Sequence, residues 1–208
     1  MADALDLRED DARRLELLAD AIRTSPHNLV SRRARDELTT RHLPECQSFA
    51  RMLPGDARVL DLGSGGGLPG LVVAIVRPDL QVHLLEATAK KVTFLRETAA
   101  LLDVEVQVHH GRAEDLARGP LRHAFDAVTA RAVAPLERLV AWAEPYLGPD
   151  GVLLAIKGAR WADEVVAAEA ALHRHGLEVL GDPERDPQLG PTAADPHRPQ
   201  VVMLARRS

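Results

Sequence analysis

The chain has 208 residues, a formal net charge of −5 at pH 7 and a single cysteine, Cys46. That length suits one well-buried α/β domain with a modest extension and falls short of two full catalytic domains. A lone cysteine excludes an intrachain disulfide framework and a cysteine-clustered zinc site and fits a reducing compartment, while the acidic balance argues against a generally basic, sequence-blind nucleic-acid binder.

Met1 to Asp10 is acidic rather than basic-then-apolar, and the longest apolar run, Gly70 to Val76, is far too short for a membrane span. The expectation is a soluble cytosolic protein with no membrane partner and no metal. Of the 26 basic residues only Lys90, Lys91 and Lys157 are lysines. Arginines suit bidentate phosphate contacts, although the codon bias of a GC-rich genome accounts for most of them equally well.

Taken in order, residues 9–23 carry Ala12, Leu15, Leu18, Ala19 and Ile22 at helical spacing, and Ser25-Pro26-His27-Asn28 ends that helix. A second helical segment, about 32–53, carries Arg32, Arg33, Arg35, Arg41 and His42, with Leu38, Phe49 and Met52 as apolar anchors. Residues 1–54 thus read as a helical N-terminal extension, either a lid with solvated arginines or an RNA-facing surface. From residue 55 to 208 strands and helices alternate, as in a parallel sheet covered on both faces. The strands fall at 58–62, 81–85, 104–108, 125–130 and 151–156, and the helices at about 68–76, 89–102 and 135–147, with a short turn at 113–118. A helix over 161–175 and strands at 178–181 and 201–205 follow. Residues 182–199 hold five prolines, which predicts a long surface loop joining the last two strands as a hairpin.

The stretch from Arg58 to Gly70 organises the rest. Val59, Leu60 and Leu62 form a buried strand with Asp61 near its carboxyl end, the glycines leave bare backbone, and Pro69 suits the first turn of a helix. Gly65-Gly66-Gly67-Leu68-Pro69-Gly70 satisfies a dinucleotide fingerprint, with Glu86 at the expected distance. Counted from the strand end, however, the register is Asp61-x-Gly63-x-Gly65-x-Gly67, the one associated with S-adenosylmethionine. That cofactor has no diphosphate and carries an ammonium, so Asp61 could hold the ammonium directly or through water while Gly63 and Gly65 allow close approach. Glu86 is placed either to accept the ribose hydroxyls or to cap the next helix. Gly111-Arg112-Ala113-Glu114-Asp115 follows the third strand, where an adenine would lie, with Ala113 offering an amide and Glu114 a carboxylate.

These stretches, together with Arg77-Pro78-Asp79, Leu84-Leu85-Glu86, Lys90-Lys91-Val92-Thr93-Phe94-Leu95, Arg112-Ala113-Glu114, Thr129-Ala130-Arg131-Ala132 and Ala155-Ile156-Lys157-Gly158, carry a resemblance. Over about residues 28–180 the chain resembles the small-subunit ribosomal RNA guanine-N7 methyltransferases, the family also called glucose-inhibited division protein B. The resemblance implies a Rossmann-like class I S-adenosylmethionine-dependent methyltransferase fold: a seven-stranded, mostly parallel sheet with an antiparallel C-terminal hairpin and a helical N-terminal extension. It implies cofactor contacts at Gly63, Leu68, Ala113, Glu114 and Arg131 with Glu86 at the ribose, and Arg131 as the catalytic residue facing the acceptor. A structural ion pair with a carboxylate such as Asp61 is the other reading of Arg131. Arg41, His42, Lys157 and Arg160 are the implied contacts to 16S ribosomal RNA within the small subunit. The family's Asn-Leu-Thr stands here as Asn28-Leu29-Val30, and its His-x-x-Asp-Ser as His42-Leu43-Pro44-Glu45-Cys46.

Methyl transfer to guanine N7 uses a lone pair and needs no general base. The Asn/Asp-Pro-Pro-aromatic tetrad usual for amine methylation in this fold is replaced by Ala130-Arg131-Ala132-Val133, and Cys46 lies in the wrong segment for pyrimidine C5 chemistry. A small-molecule methyltransferase and an NAD-dependent dehydrogenase remain open at this stage.

Overall fold

The computed structural model describes residues 8–182, 189–191 and 197–207. Of the loop expected at 182–199, residues 183–188 and 192–196 lie outside the described residues. Seven strands form one sheet: β1 (Arg58–Leu62), β2 (Gln81–Glu86), β3 (Val106–His110), β4 (Phe125–Arg131), β5 (Leu147–Lys157), β6 (Leu177–Gly181) and β7 (Gln200–Arg206). Their order is β3-β2-β1-β4-β5-β7-β6. The first five strands pair in parallel, and β7 runs antiparallel to both β5 and β6, as the hairpin reading anticipated.

Strand alternation assigns the two faces. Val59, Val82, Leu84 and Ala127 enter one core with α1 (Glu9–Thr24), α3 (Leu43–Ala50), α4 (Gly70–Val76) and α5 (Ala89–Leu102). Leu60, Leu62, Leu85, Val128 and Ala130 enter the other with α7 (Leu136–Ala143), α8 (Trp161–Ala167) and α9 (Glu169–Arg174). Asp61, Thr129 and Arg131 share the parity of the first group, so the charged residues at these strand ends face the N-terminal helices. Those helices contribute Leu15, Leu18, Ile22, Leu38, Cys46 and Phe49 to that core. Arg77 fastens them: its guanidinium donates to the carbonyls of Ala50 (2.8 Å) and Leu53 (3.0 Å) and also pairs with Asp79 (2.7 Å). Among the described residues no helix is long and apolar enough to cross a membrane.

Several expected boundaries move for identifiable reasons. The segment expected as one helix over 32–53 is three pieces: α2 (Arg32–Asp36), a π-helical turn (Leu38–His42) and α3. His42 N–H donates to the Glu37 carbonyl five residues back, and Pro44 then opens α3 at a position where a missing N–H costs nothing. The strand expected at 104–108 begins at Val106, because Asp103 closes α5 in a left-handed conformation (φ 52°) and Val104 N–H bonds back to Ala99. The Gly148-Pro149-Asp150-Gly151 turn is a bulge inside β5: Phe125 faces Leu147 while Ala127 faces Val152. The helix expected over 135–147 ends at Ala143 and tightens into a 3-10 turn, Glu144–Tyr146, at Pro145. The one over 161–175 breaks at Ala168, whose N–H is shared between the Glu164 and Val165 carbonyls. Pro69 caps α4 rather than opening it, so that helix starts at Gly70, two residues later than expected.

Away from the carboxyl ends of the strands, His83 is buried against His109 (Nδ1 to Nε2 2.9 Å), with Arg58 Nε 3.3 Å from its other nitrogen. Burial, then the charges of Arg58 and His109, hold the His83 imidazole down to about 4 from the usual 6.5. Between those pH values the unfolded chain binds a proton that the folded chain refuses, so stability falls as pH drops from 6.5 towards 4. In urea unfolding across that window the wild type should lose about 2 kcal/mol more than His83→Gln; parallel pH profiles would refute the assignment.

Candidate active site

The glycine loop is built from below. Asp61 is fully buried, and its two carboxylate oxygens accept hydrogen bonds from Gly70 N–H (3.1 Å) and the Thr129 hydroxyl (3.2 Å). Burial pushes its carboxyl up to about 6 despite these bonds. Each oxygen thus accepts one hydrogen bond from within the protein and keeps a second lone pair: Asp61 holds the loop that would hold the ligand. A Cβ on Gly70 would come within 2.3 Å of Leu84 and 2.6 Å of Asp61 Oδ2, so only glycine fits there. Asp61 also places a carboxylate at the amide of α4 where a dinucleotide's diphosphate would need to lie. The residues fit a ligand without a diphosphate.

The sheet order reverses between β1 and β4, and the crevice beyond their carboxyl ends is where an open α/β sheet binds ligands. A cleft of about 280 Å³ opens there, lined by Gly63, Glu86, Ala113, Glu114, Val133 and Trp142 among others. Four residues expected at a cofactor therefore meet around one space. Gly63 (φ +74°) has no room for a side chain, since a Cβ would lie 2.9 Å from Val133. Glu86 is almost fully buried and accepts from Gly65 N–H (3.0 Å) and Thr88 N–H (2.8 Å). It ties down the loop and the start of α5, and each oxygen keeps a second lone pair. The Ala113 carbonyl accepts from Tyr146 Oη (2.6 Å), which anchors α6 (Ala113–Leu116) at the far wall. Gly65 and Leu68 do not line this cleft; Gly65 and its neighbour Gly66 pack under Leu29 of the extension.

A second, larger cleft of about 860 Å³ adjoins the first, and Ala132 and Val133 line both. It gathers Arg41, Glu45, Arg131, Lys157 and Glu164. Arg131 is mostly covered and is held by the extension. Its Nη1 donates to Cys46 Sγ (3.0 Å) and the His42 carbonyl (3.5 Å), and its Nη2 to Glu45 Oε2 (3.0 Å) while lying against His42 Nδ1. An ion pair was one reading of this arginine; the carboxylate is Glu45, not Asp61. Burial opposes ionisation of Glu45, yet His42, Arg41 and Arg131 hold its carboxyl down to about 2. The thiol of Cys46 is pushed up to about 11 by burial and is no nucleophile.

The expected phosphate contacts divide. Lys157 is engaged, its Nζ donating to Glu164 (2.8 Å) and the Ala134 carbonyl (2.9 Å), so it frames the cleft instead of reaching solvent. Arg41 pairs with both Glu37 and Glu45, and His42 is turned inward to Arg131. Arg160 is exposed at the start of α8 but does not line the cleft. Glu45, Glu164 and Val133 were not among the residues expected at the site. Only Glu45 carried a usable signal, lying inside the His42-to-Cys46 segment and four residues after Arg41. Trp142 brings a ring to the first cleft, with Arg138 stacked 4.8 Å from its centroid. The described lining of the larger cleft contains the imidazole of His197 but no Phe, Tyr or Trp.

The family model for rRNA small subunit methyltransferase G matches residues 13–185. Proteins named ribosomal RNA small subunit methyltransferase G are similar: that of Nocardioides is 44% identical over 93% of this chain and 75% of its own length. That of Mycobacterium marinum is 40% identical over 93% and 85%, and that of Acidothermus cellulolyticus 49% identical over 70% and 65%. The match thus covers slightly under two thirds of the last relative's length. Among solved structures, the M. jannaschii TYW2 complex with AdoMet aligns at TM-score 0.60 and 16% identity, covering 80% of this chain and 76% of that one. A precorrin-6y C5,15-methyltransferase from Geobacter metallireducens aligns at TM-score 0.53 and 17% identity, covering 89% and 94%. At these identities the likeness establishes the fold, a class I methyltransferase sheet.

Replacing Asp61 by alanine removes both acceptors and leaves a buried N–H and hydroxyl unpaired, so Asp61→Ala should lower the unfolding free energy by about 3 kcal/mol. Urea titration measures this; a loss below about 1 kcal/mol would show that the loop is held by other contacts.

Proposed function

Because this chain belongs to the rRNA small subunit methyltransferase G family, we propose that it transfers a methyl group from S-adenosylmethionine to N7 of a guanine in 16S ribosomal RNA, within the small subunit and in the cytoplasm. The observation that carries this reading is the junction of two clefts at Ala132–Val133, one floored by a glycine loop unsuited to a diphosphate and the other walled by fixed charges. Gly63, Glu86, Ala113 and Glu114 would hold the cofactor: Glu86 at the ribose hydroxyls, and Ala113 and Glu114 at the adenine edge. S-adenosylmethionine supplies a methyl group on a sulfonium, which an acceptor lone pair takes in line.

The protein's share is placement. Val133, which packs against Gly63, lines both clefts together with Ala132, so an acceptor atom in the larger cleft would lie next to the smaller one. Guanine N7 presents a lone pair and loses no proton, which suits a cleft whose carboxylates are committed to ion pairs: Glu45 with Arg41 and Arg131, Glu164 with Lys157. Arg131 lies where it can orient the base or its phosphate. In the described part of its cleft the imidazole of His197 is present but no Phe, Tyr or Trp, so the chain would hold the base chiefly by polar contacts and shape.

Calorimetry should show binding of S-adenosylmethionine and none of NAD. Tritiated methyl transfer to small subunits from a strain lacking the gene should label RNA at guanine N7, and Arg131→Ala should lower kcat/KM about a hundredfold. Binding of NAD alone, or transfer only to a small molecule, would overturn the reading.

A further inference from the structure

The charges beside Arg131 form a sequence of their own. Arg33 pairs with Glu37 (2.8 Å), Glu37 with Arg41 (3.3 Å), Arg41 with Glu45 (2.7 Å), and Glu45 with Arg131 (3.0 Å). The first three links span four residues each along the extension, and the series ends in its two least exposed members: the side chains are 79% exposed at Arg33, 30% at Glu37, 54% at Arg41 and 14% each at Glu45 and Arg131. Exposed links of this kind contribute little on their own. The last is different, because it is largely shielded from water and lies in the wall of the larger cleft.

We propose that Glu45 is a positioning residue for the methyl acceptor, acting through Arg131 by fixing its guanidinium and cancelling its charge; this rests on the function proposed above. Two features of the site motivate it. The first is geometric: both terminal nitrogens of Arg131 are engaged with His42, Glu45 and Cys46, so the orientation of the guanidinium is set by the extension and not by β4, which carries it. Cys46 offers only a weak sulfur acceptor, and His42 a carbonyl at the long limit of a hydrogen bond and a ring nitrogen that also lies 3.2 Å from Glu45, which leaves Glu45 as the one carboxylate partner.

The second is electrostatic. When N7 forms its bond to the methyl carbon and the carbon–sulfur pair stays on sulfur, the positive charge leaves the sulfonium and appears on the guanine ring. An uncompensated guanidinium in the same poorly hydrated wall would oppose that charge. With the Glu45 carboxylate 3.0 Å away, the Arg131–Glu45 pair carries no net charge towards the acceptor. Glu45 does not line the smaller cleft, so cofactor binding should not depend on it.

The test is a double-mutant cycle in the full chain with Glu45→Gln, Arg131→Ala and the double variant. It reads kcat and KM on unmethylated small subunits, S-adenosylmethionine affinity by calorimetry, subunit affinity without cofactor, and thermal midpoints. Glu45→Gln should lower kcat/KM about thirtyfold and weaken subunit binding, leave S-adenosylmethionine affinity within about twofold, and cost under about twofold more once Arg131 is already alanine. Glu45→Asp, which restores the charge, should recover most of the loss. Arg131→Met, similar in length and uncharged, replaces the alanine variant if that one does not fold. Losses that add independently in the double variant and follow the thermal midpoint would mean that Glu45 merely anchors α3, and would overturn the inference alone. A wild-type chain that binds S-adenosylmethionine but transfers no methyl to the subunit would overturn the proposed function and this inference with it.

Discussion

The hydrogen bond from the Gly70 amide to the buried carboxylate of Asp61 is the constraint on which the site depends. It joins the end of β1 to the start of α4 across nine residues, and Thr129 extends the same carboxylate's reach to β4. Three elements are thereby held at one point under the loop. The positive end of a helix attracts an anion; here the protein supplies that anion itself. A ligand arriving above the loop meets no free helix terminus, only glycine backbone and the acids of neighbouring strands. This is the physical distinction between two loops that share a glycine pattern.

The N-terminal helices complete that arrangement from above. Leu29 packs over Gly65 and Gly66, Arg77 closes the carbonyls at the end of α3, and the His42-to-Cys46 segment grips Arg131. A sheet with its carboxyl ends bare would leave Arg131 as a mobile surface charge. Covered by the extension, it becomes part of a rigid wall with a fixed direction of donation.

Much of the sheet was legible from the sequence because strands buried on both faces read as short apolar runs, and their regular alternation with helical segments implies parallel pairing. β1 falls at the expected 58–62, and the C-terminal hairpin pairs as expected. Boundaries moved where a hydrogen bond reached outside the ordinary spacing: at the π-helical turn before Pro44 and at the left-handed Asp103. At the site, residue types were legible and partners were not. Glu86 and Ala113 are where strand ends place them, whereas the pairing of Lys157 with Glu164 and of Arg131 with Glu45 depends on which helices fold over the strand ends. Sequence distance hides such contacts: Glu45 and Arg131 are 86 residues apart.

Ala132 takes a left-handed conformation (φ 53°) that a residue with a Cβ adopts only at some cost, and it sits on the partition between the two clefts. A residue shared by both linings cannot be changed for one cleft alone: a substitution at Ala132 alters the walls of donor and acceptor clefts together, so their affinities are coupled through this position.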